Sequence, residues 1–311
     1  MIRLWDFYGR DENLGIQRRL PNNPPFISSA TFTGDATNPA YLLRNRIPAN
    51  AFSLTGGSSD LNSYPLDFGL PYVVQWNLNV QREPGRSFIA QVAYTGSEAH
   101  KLAIIPQVNQ AVPGTGAVNS RRPYQGFANI FFYSPQANSN YHALLGKLER
   151  RFSHGLRLLA SYTYGHSIDG GGNQNDSSDP GPQDVRNLAE QRGNSNFDVR
   201  HRFVLSGFYA LPFGKSSGPL NQLIRDWQIS GIFSAQTGQP FTVTMSTDPS
   251  STGTTARPNR LASGDLPANQ RNPSHWFDLT AFTTPTCICF GNSGRNIVRG
   301  PRFINLDFGL G

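Results

Sequence analysis

Along most of the chain, apolar and polar residues alternate with a period of two in segments of about ten residues, while the three-to-four spacing of an amphipathic helix is nearly absent. In Tyr72 to Gln81 one face carries Tyr72, Val74, Trp76, Leu78 and Val80, and the other carries Val73, Gln75, Asn77, Asn79 and Gln81. Phe88, Ala90, Val92 and Tyr94 oppose Ile89, Gln91, Ala93 and Thr95 in the next segment. Leu156, Leu158, Ala160, Tyr162 and Tyr164 likewise oppose Arg157, Leu159, Ser161, Thr163 and Gly165. The same rule predicts strands over Phe203 to Leu211, Trp227 to Ala235 and Ile304 to Leu310, and a noisier one over Tyr141 to Phe152. The chain is predicted to be all-β.

The connections between these segments run short, long, short, long. Glu83-Pro84-Gly85 and Ser153-His154-Gly155 are tight, whereas Gly96 to Asn140, Ser167 to Phe197 and Thr237 to Gly300 are long, and Gly214 to Ile224 is moderate. A soluble sandwich has no reason to put every long loop at one end. Outer-membrane barrels do so, with short periplasmic turns and long extracellular loops. Strand length agrees: ~11 residues at ~3.3 Å each, tilted ~40°, rise ~28 Å, enough to cross a hydrocarbon core. The expected fold is therefore a set of antiparallel transmembrane β-barrel strands, a partial barrel, with its apolar face on lipid and its polar face on the lumen. Tyr72, Trp76, Tyr162, Tyr164, Tyr209, Phe213 and Trp227 are the candidate lipid-interface aromatics.

Composition sharpens this picture. Only 15% of the 311 residues are charged, against roughly 25% in an ordinary soluble domain. Strands that give one face to lipid and fill the other mainly with Gln, Asn, Ser and Thr account for the deficit. The net charge of +7 is spread along the chain without a basic stripe, so no nucleic-acid partner is expected. No apolar run reaches the length of a transmembrane helix, since even Phe203 to Phe213 is broken by Ser206 and Gly207. The first residues, Met1-Ile2-Arg3-Leu4-Trp5-Asp6, do not read as a secretory signal.

Several strings resemble the barrel of TonB-dependent receptors, and more closely an Oar-like subgroup of acidobacteria. They are Val74-Gln75-Trp76-Asn77-Leu78-Asn79-Val80-Gln81-Arg82-Glu83, Val92-Ala93-Tyr94-Thr95-Gly96-Ser97, and Asn140-Tyr141-His142-Ala143-Leu144 through Leu148-Glu149-Arg150-Arg151-Phe152. The resemblance continues through Leu159 to Tyr164, Phe197 to Phe203, Leu211-Pro212-Phe213-Gly214, Gly238-Gln239-Pro240-Phe241 and Gly291 to Asn296. It implies uptake of a bulky solute across the cell outer membrane, with a plug domain and TonB as partners in the intact protein. It also divides the chain into residues 1–70, an irregular loop-rich segment, and residues 71–311, a partial barrel truncated at both ends. Seven strands in about 240 residues are fewer than half of the 22 that the family uses, so the chain reads as a fragment. The alternative is a soluble secreted β-rich module for carbohydrate binding or adhesion, which would leave the one-sided loops unexplained.

Candidate chemistry is sparse. Lys147, Glu149 and Arg151 share one strand parity, and Asp198, Arg200 and Arg202 share another strand's, so all six are predicted to face the lumen. Such a cluster reads either as a plug-docking or substrate-path surface or as a solvated ladder of ion pairs. Asp169-Gly170-Gly171-Gly172-Asn173-Gln174-Asn175-Asp176-Ser177-Ser178-Asp179 is rich in oxygen ligands but lacks the glutamate of an EF-hand, and it reads as an extracellular loop. Cys287 and Cys289 are spaced too tightly for an unstrained disulfide in an extended segment, and read as two thiols in a loop. His100, His142, His154, His166, His201 and His275 stand in no nucleophile or metal motif, and neither GxSxG nor HExxH occurs. No enzymatic activity, metal or cofactor is expected.

Overall fold

The computed structural model describes residues 2–3, 59–67, 69–85, 87–171, 180–213 and 227–311. The Gly214 to Ile224 turn, residues 172–179 of the Asp169 to Asp179 loop and most of segment 1–70 lie outside the described residues. The described strands are β1 (Ile2–Arg3), β2 (Ser59–Ser63), β3 (Tyr72–Gly85), β4 (Phe88–Ile104), β5 (Phe127–Phe132), β6 (Ser134–Ser153), β7 (Leu156–Asp169) and β8 (Gly193–Asn194). They continue as β9 (His201–Ala210), β10 (Gln228–Gln236), β11 (Pro240–Phe241), β12 (Asn259–Arg260), β13 (Phe282–Thr283), β14 (Val298–Arg299) and β15 (Phe303–Leu310).

Seven long strands form one antiparallel meander in the order β3-β4-β6-β7-β9-β10-β15, with β1 on the outer edge of β3 and β8 on the end of β7. All seven strands expected from the alternation are present. The tight connections lie together at one end of the sheet. In one of them His154 and Gly155 both take positive φ, and a Cβ on Gly155 would stand 2.9 Å from the Ala210 carbonyl oxygen.

Four strands run further than their patterning suggests, β3 among them, since it takes in Glu83-Pro84-Gly85, which was expected to be a turn. β4 continues past Thr95 to Ile104, β6 begins at Ser134 rather than Tyr141, and β7 reaches Asp169. Pairing persists there, as in Ala99 with Ser139 and Leu102 with Ala137. The connection between β4 and β6 is thus residues 105–133, shorter than the expected Gly96 to Asn140. Alternation marks only the stretch where the two faces meet different surroundings, whereas backbone pairing needs no such contrast.

Register carries one apolar face across every strand. Val80, Val92, Gly146, Tyr162, Phe203, Ala235 and Ile304 form one row, and Ala90, Leu148, Ala160, Leu205, Phe233 and Leu306 form the next, which ends on Arg82 where β3 nears the tight turn. On the other face run Gln81, Gln91, Lys147, Ser161, Val204, Ser234 and Asn305. The apolar rows stay open: Leu78 is 66% exposed, Leu306 67% and Phe308 68%. An ordinary antiparallel sheet hides at least one face in a core. Here most of the buried apolar residues, among them Ile104, Ile105, Ala111, Ile130, Val243, Ala256 and Val298, lie at or beyond the long-loop end of the sheet.

At that end the loops form a cap. β2 pairs in parallel with β5, whereas β11 pairs antiparallel with β14 and β12 antiparallel with β13. Tyr64 stacks on Tyr133 at 4.4 Å, and the Phe277 ring packs against Phe241 and Phe282. The cap also corrects the reading of the cysteines, because Cys287 and Cys289 form a disulfide. Their segment is bent, not extended, which brings the Cα atoms to 5.3 Å. A strand would hold them ~6.6 Å apart, near the upper limit for such a bond.

Candidate functional site on the polar face and in the loop cap

The six charged residues singled out from the sequence fall into two groups. Lys147, Glu149 and Arg151 alternate along β6 on the polar face of the sheet. Lys147 Nζ stands 3.1 Å from Glu149, and Arg157 on β7 reaches the same carboxylate at 3.3 Å. Arg151, at the tight-turn end, pairs with Glu83 of β3 at 2.5 Å. Arg202 shares this face and lies in register between Thr163 and Gln236. The Glu149 row meets β9 at Ser206, four residues from Arg202, or ~13 Å along the strand.

Asp198 and Arg200 correct the expectation of a continuous strand face. Both precede β9, in the segment that turns into it, and Asp198 is buried. Its carboxylate accepts hydrogen bonds from the Ser167 amide at 2.7 Å, from Arg200 Nε at 2.9 Å, and from Arg299 Nη2. Burial pushes this carboxyl up, and those three donors more than offset it, holding it below the usual carboxylate range. Arg200 also touches His166 and Asn194, and Arg299 donates to the carbonyls of Asp198 and Gly238. This cluster fastens the end of β7, the approach to β9 and both sides of the last long loop.

The polar interior of the cap was not anticipated. Arg295 and Arg257 are each 1% exposed. Arg295 forms an ion pair with Asp169 at 2.6 Å, and its guanidinium also donates to the Gln191 carbonyl at 3.2 Å. Arg257 donates to the Gln191 side chain, and its amide to the Gln183 side chain. Gln110 donates to the Gln183 carbonyl at 2.6 Å, while Gln183 donates to the Gly291 carbonyl at 2.8 Å. Asn194 and Asn296 exchange bonds of 2.8 and 2.7 Å between their amides and each other's carbonyls. Long-range contacts of this kind have no periodic signature. The one hint was the string Gly291 to Asn296, in which a Cβ on Gly291 would stand 2.1 Å from the Arg257 carbonyl oxygen.

On the polar face near the tight-turn end, Arg157, Leu159, Ser206, Phe208, Ser230, Ile232 and Asp307 surround an open cavity of about 460 Å³. Chemically, the polar face offers alternating charges and amides to a solvated interior. The loops offer a hydrogen-bonded platform over one end of it.

A family model for the outer membrane beta barrel domain matches residues 7–311. The chain belongs to this family. The barrel domain is accordingly an outer-membrane protein, and its open apolar face meets membrane lipid. That removes the alternative of a soluble secreted module. Among solved structures, the outer membrane transporter YddB from Escherichia coli is similar with a TM-score of 0.42 and 13% identity, over 61% of this chain and 24% of that one. The barrel domain thus spans about a quarter of the length of that transporter. No curated protein matches the chain.

The candidate interface aromatics of the barrel domain divide between the two ends of the sheet. Tyr72, Trp76, Tyr162 and Tyr164 occupy the half toward the cap, where Tyr162 and Tyr164 flank His201. Tyr209, Phe213 and Trp227 stand at the end of β9 and the start of β10, with the Leu211 amide donating to the Trp227 carbonyl at 2.8 Å.

Proposed function

We propose that this barrel domain is part of a TonB-dependent receptor that admits a bulky solute across the outer membrane. The observation that carries the reading is the register: it sorts seven consecutive strands into one lipid-facing surface and one charged, amide-rich surface, with every long loop at the same end. In this reading the cap faces the outside. Lys147, Glu149, Arg151 and Arg202 line the lumen, where water or a plug domain satisfies their charges. Asp198 and Arg200 hold the extracellular loops in place, and the two aromatic groups mark the two membrane interfaces. The strings shared with TonB-dependent receptors support a plug and TonB as partners of the intact protein, and the fixed cap supports recognition of the solute by the loops. No catalytic step is assigned to the chain.

A photo-crosslinking side chain placed at Arg202 in the intact receptor tests this. It should capture a plug peptide of the same polypeptide, and one at Leu205 should capture none. Failure to capture any peptide from position 202, with the receptor inserted in the membrane, overturns the plugged-receptor reading.

A further inference from the structure

The lipid-facing side carries a feature that solute uptake does not use. On it, Trp76 lies against Gly96, where a Cβ would stand 2.4 Å from the indole. The indole therefore lies over the β4 backbone, with the His142 ring 6.0 Å away. Tyr94 Oη meets His142 Nδ1 at 2.8 Å; with the phenol donating, His142 carries its proton on Nε2, as a hydrogen-bond donor. A second pair repeats the arrangement, Tyr162 Oη to His201 Nδ1 at 2.7 Å.

One register step toward the cap, Val74, Glu98, Asn140 and Ile168 form the next row on the same face. There Arg192 Nη2 donates to Asn140 Oδ1 at 2.7 Å, and Asn140 donates to Glu98 at 3.2 Å. His100 Nε2 lies 3.6 Å from the other oxygen of Glu98, with its ring centroid 5.0 Å from that of Tyr72. A flat aromatic platform thus sits at the edge of the apolar surface, with an exposed guanidinium and two imidazoles around it and one carboxylate among them. The change from apolar rows to a guanidinium, two imidazoles and aromatic rings within two register steps matches a lipid whose acyl chains end at a phosphate.

We propose that the outward rim of β3, β4 and β6 together with the residue that precedes β8, built from Trp76, Tyr94, His142, Asn140, Arg192 and His100, binds the phosphate-bearing headgroup of an outer-leaflet lipid. The proposal rests on the cap facing outside, as in the reading above. Arg192 and His142 Nε2 donate to the phosphate oxygens, while Trp76 and Tyr94 support the sugar or glycerol beneath it. Glu98 holds Asn140 and His100 in place.

Native mass spectrometry of the whole chain in mild detergent tests the site. The probes are a bis-phosphorylated outer-leaflet glycolipid, the same glycolipid without its phosphates, and inorganic phosphate as competitor. A cation at a charged lipid surface is worth about fivefold in affinity, so the chain should retain the phosphorylated lipid at least about fivefold better than the other. Arg192→Gln with His142→Phe should erase that preference while leaving heat-modifiable gel mobility unchanged. Equal retention of the two lipids, or a preference that survives in the variant, overturns the proposal. Loss of the lipid to inorganic phosphate overturns it in favour of a free-phosphate site. Impermeant labelling of an Asn269→Cys cap on intact cells separates the two readings: a cap labelled outside with no lipid preference sinks the headgroup site alone.

Discussion

Leu205 and Ser206 are neighbours in β9 that face opposite sides of the sheet, and arginine at each should have opposite consequences. The Leu205 row, with Ala160, Phe233 and Leu306, lies four residues from the Leu156 and Tyr209 row and four from the Tyr164 and His201 row. That is ~13 Å along the strand in each direction, or ~10 Å along the membrane normal at a ~40° tilt. Leu205 therefore sits near the bilayer midplane, where arginine on the lipid face costs about 2–4 kcal/mol. The expected loss in the folded-to-unfolded ratio is roughly 30- to 700-fold. Ser206 shares its row with Asp307 on the polar face, and Ser206→Arg should stay within about 0.5 kcal/mol of the parent. Urea unfolding of the chain in lipid vesicles, followed by tryptophan fluorescence, measures both. A Leu205→Arg chain as stable as the parent, or a Ser206→Arg chain that is the weaker of the two, would refute the assignment of faces.

Three further outcomes follow from the cap and the rim. Asp198 has a depressed carboxyl pKa, so its stabilisation is complete above the ordinary value of 3.8 and is lost as pH falls through the lower folded value. Proteolytic protection of the cap should drop below about pH 4 in the parent, while Asp198→Asn should be weaker by about 2 kcal/mol at neutral pH and show a flatter acid response; equal acid profiles would contradict this. Asp169→Asn removes the carboxylate paired with the buried Arg295, a loss of about 3–5 kcal/mol, and should open loops 180–200 and 237–300 to protease; an unchanged cleavage pattern would count against the pairing. Gly96→Val should push the Trp76 indole off the sheet and red-shift its emission, whereas an unchanged spectrum would show that the indole does not lie there.

Much of the sheet was legible from single residues. Alternation in Tyr72 to Gln81 or Leu156 to Gly165 reports a backbone period of two against two different environments, and lipid on one side with water on the other makes that contrast strong. Where the contrast fades, as at Glu98, Ala99 and Leu102 on β4, the strand continues on hydrogen bonds that leave no mark in the side-chain pattern. The Lys147, Glu149 and Arg151 ladder was visible because its spacing is local. Asp198 was placed on the correct strand approach but in the wrong surroundings, since its partner Arg299 is a hundred residues away. Arg257, Arg295 and Gln110 were invisible for the same reason: their partners are 66 to 144 residues distant, and nothing periodic links them. The cysteine pair was misread because an extended geometry was assumed where the chain bends.

The central claim is that the sheet spans the outer membrane with the cap outside and the tight turns inside. Single cysteines at Asn269 in the cap and at Pro84 at the tight-turn end of β3, introduced with Cys287 and Cys289 replaced by serine, test it when an exported chain is exposed to a membrane-impermeant maleimide on intact cells. The account predicts labelling at position 269 on intact cells and at position 84 only after the outer membrane is opened. Labelling of position 84 on intact cells, or of position 269 only after opening, would contradict it.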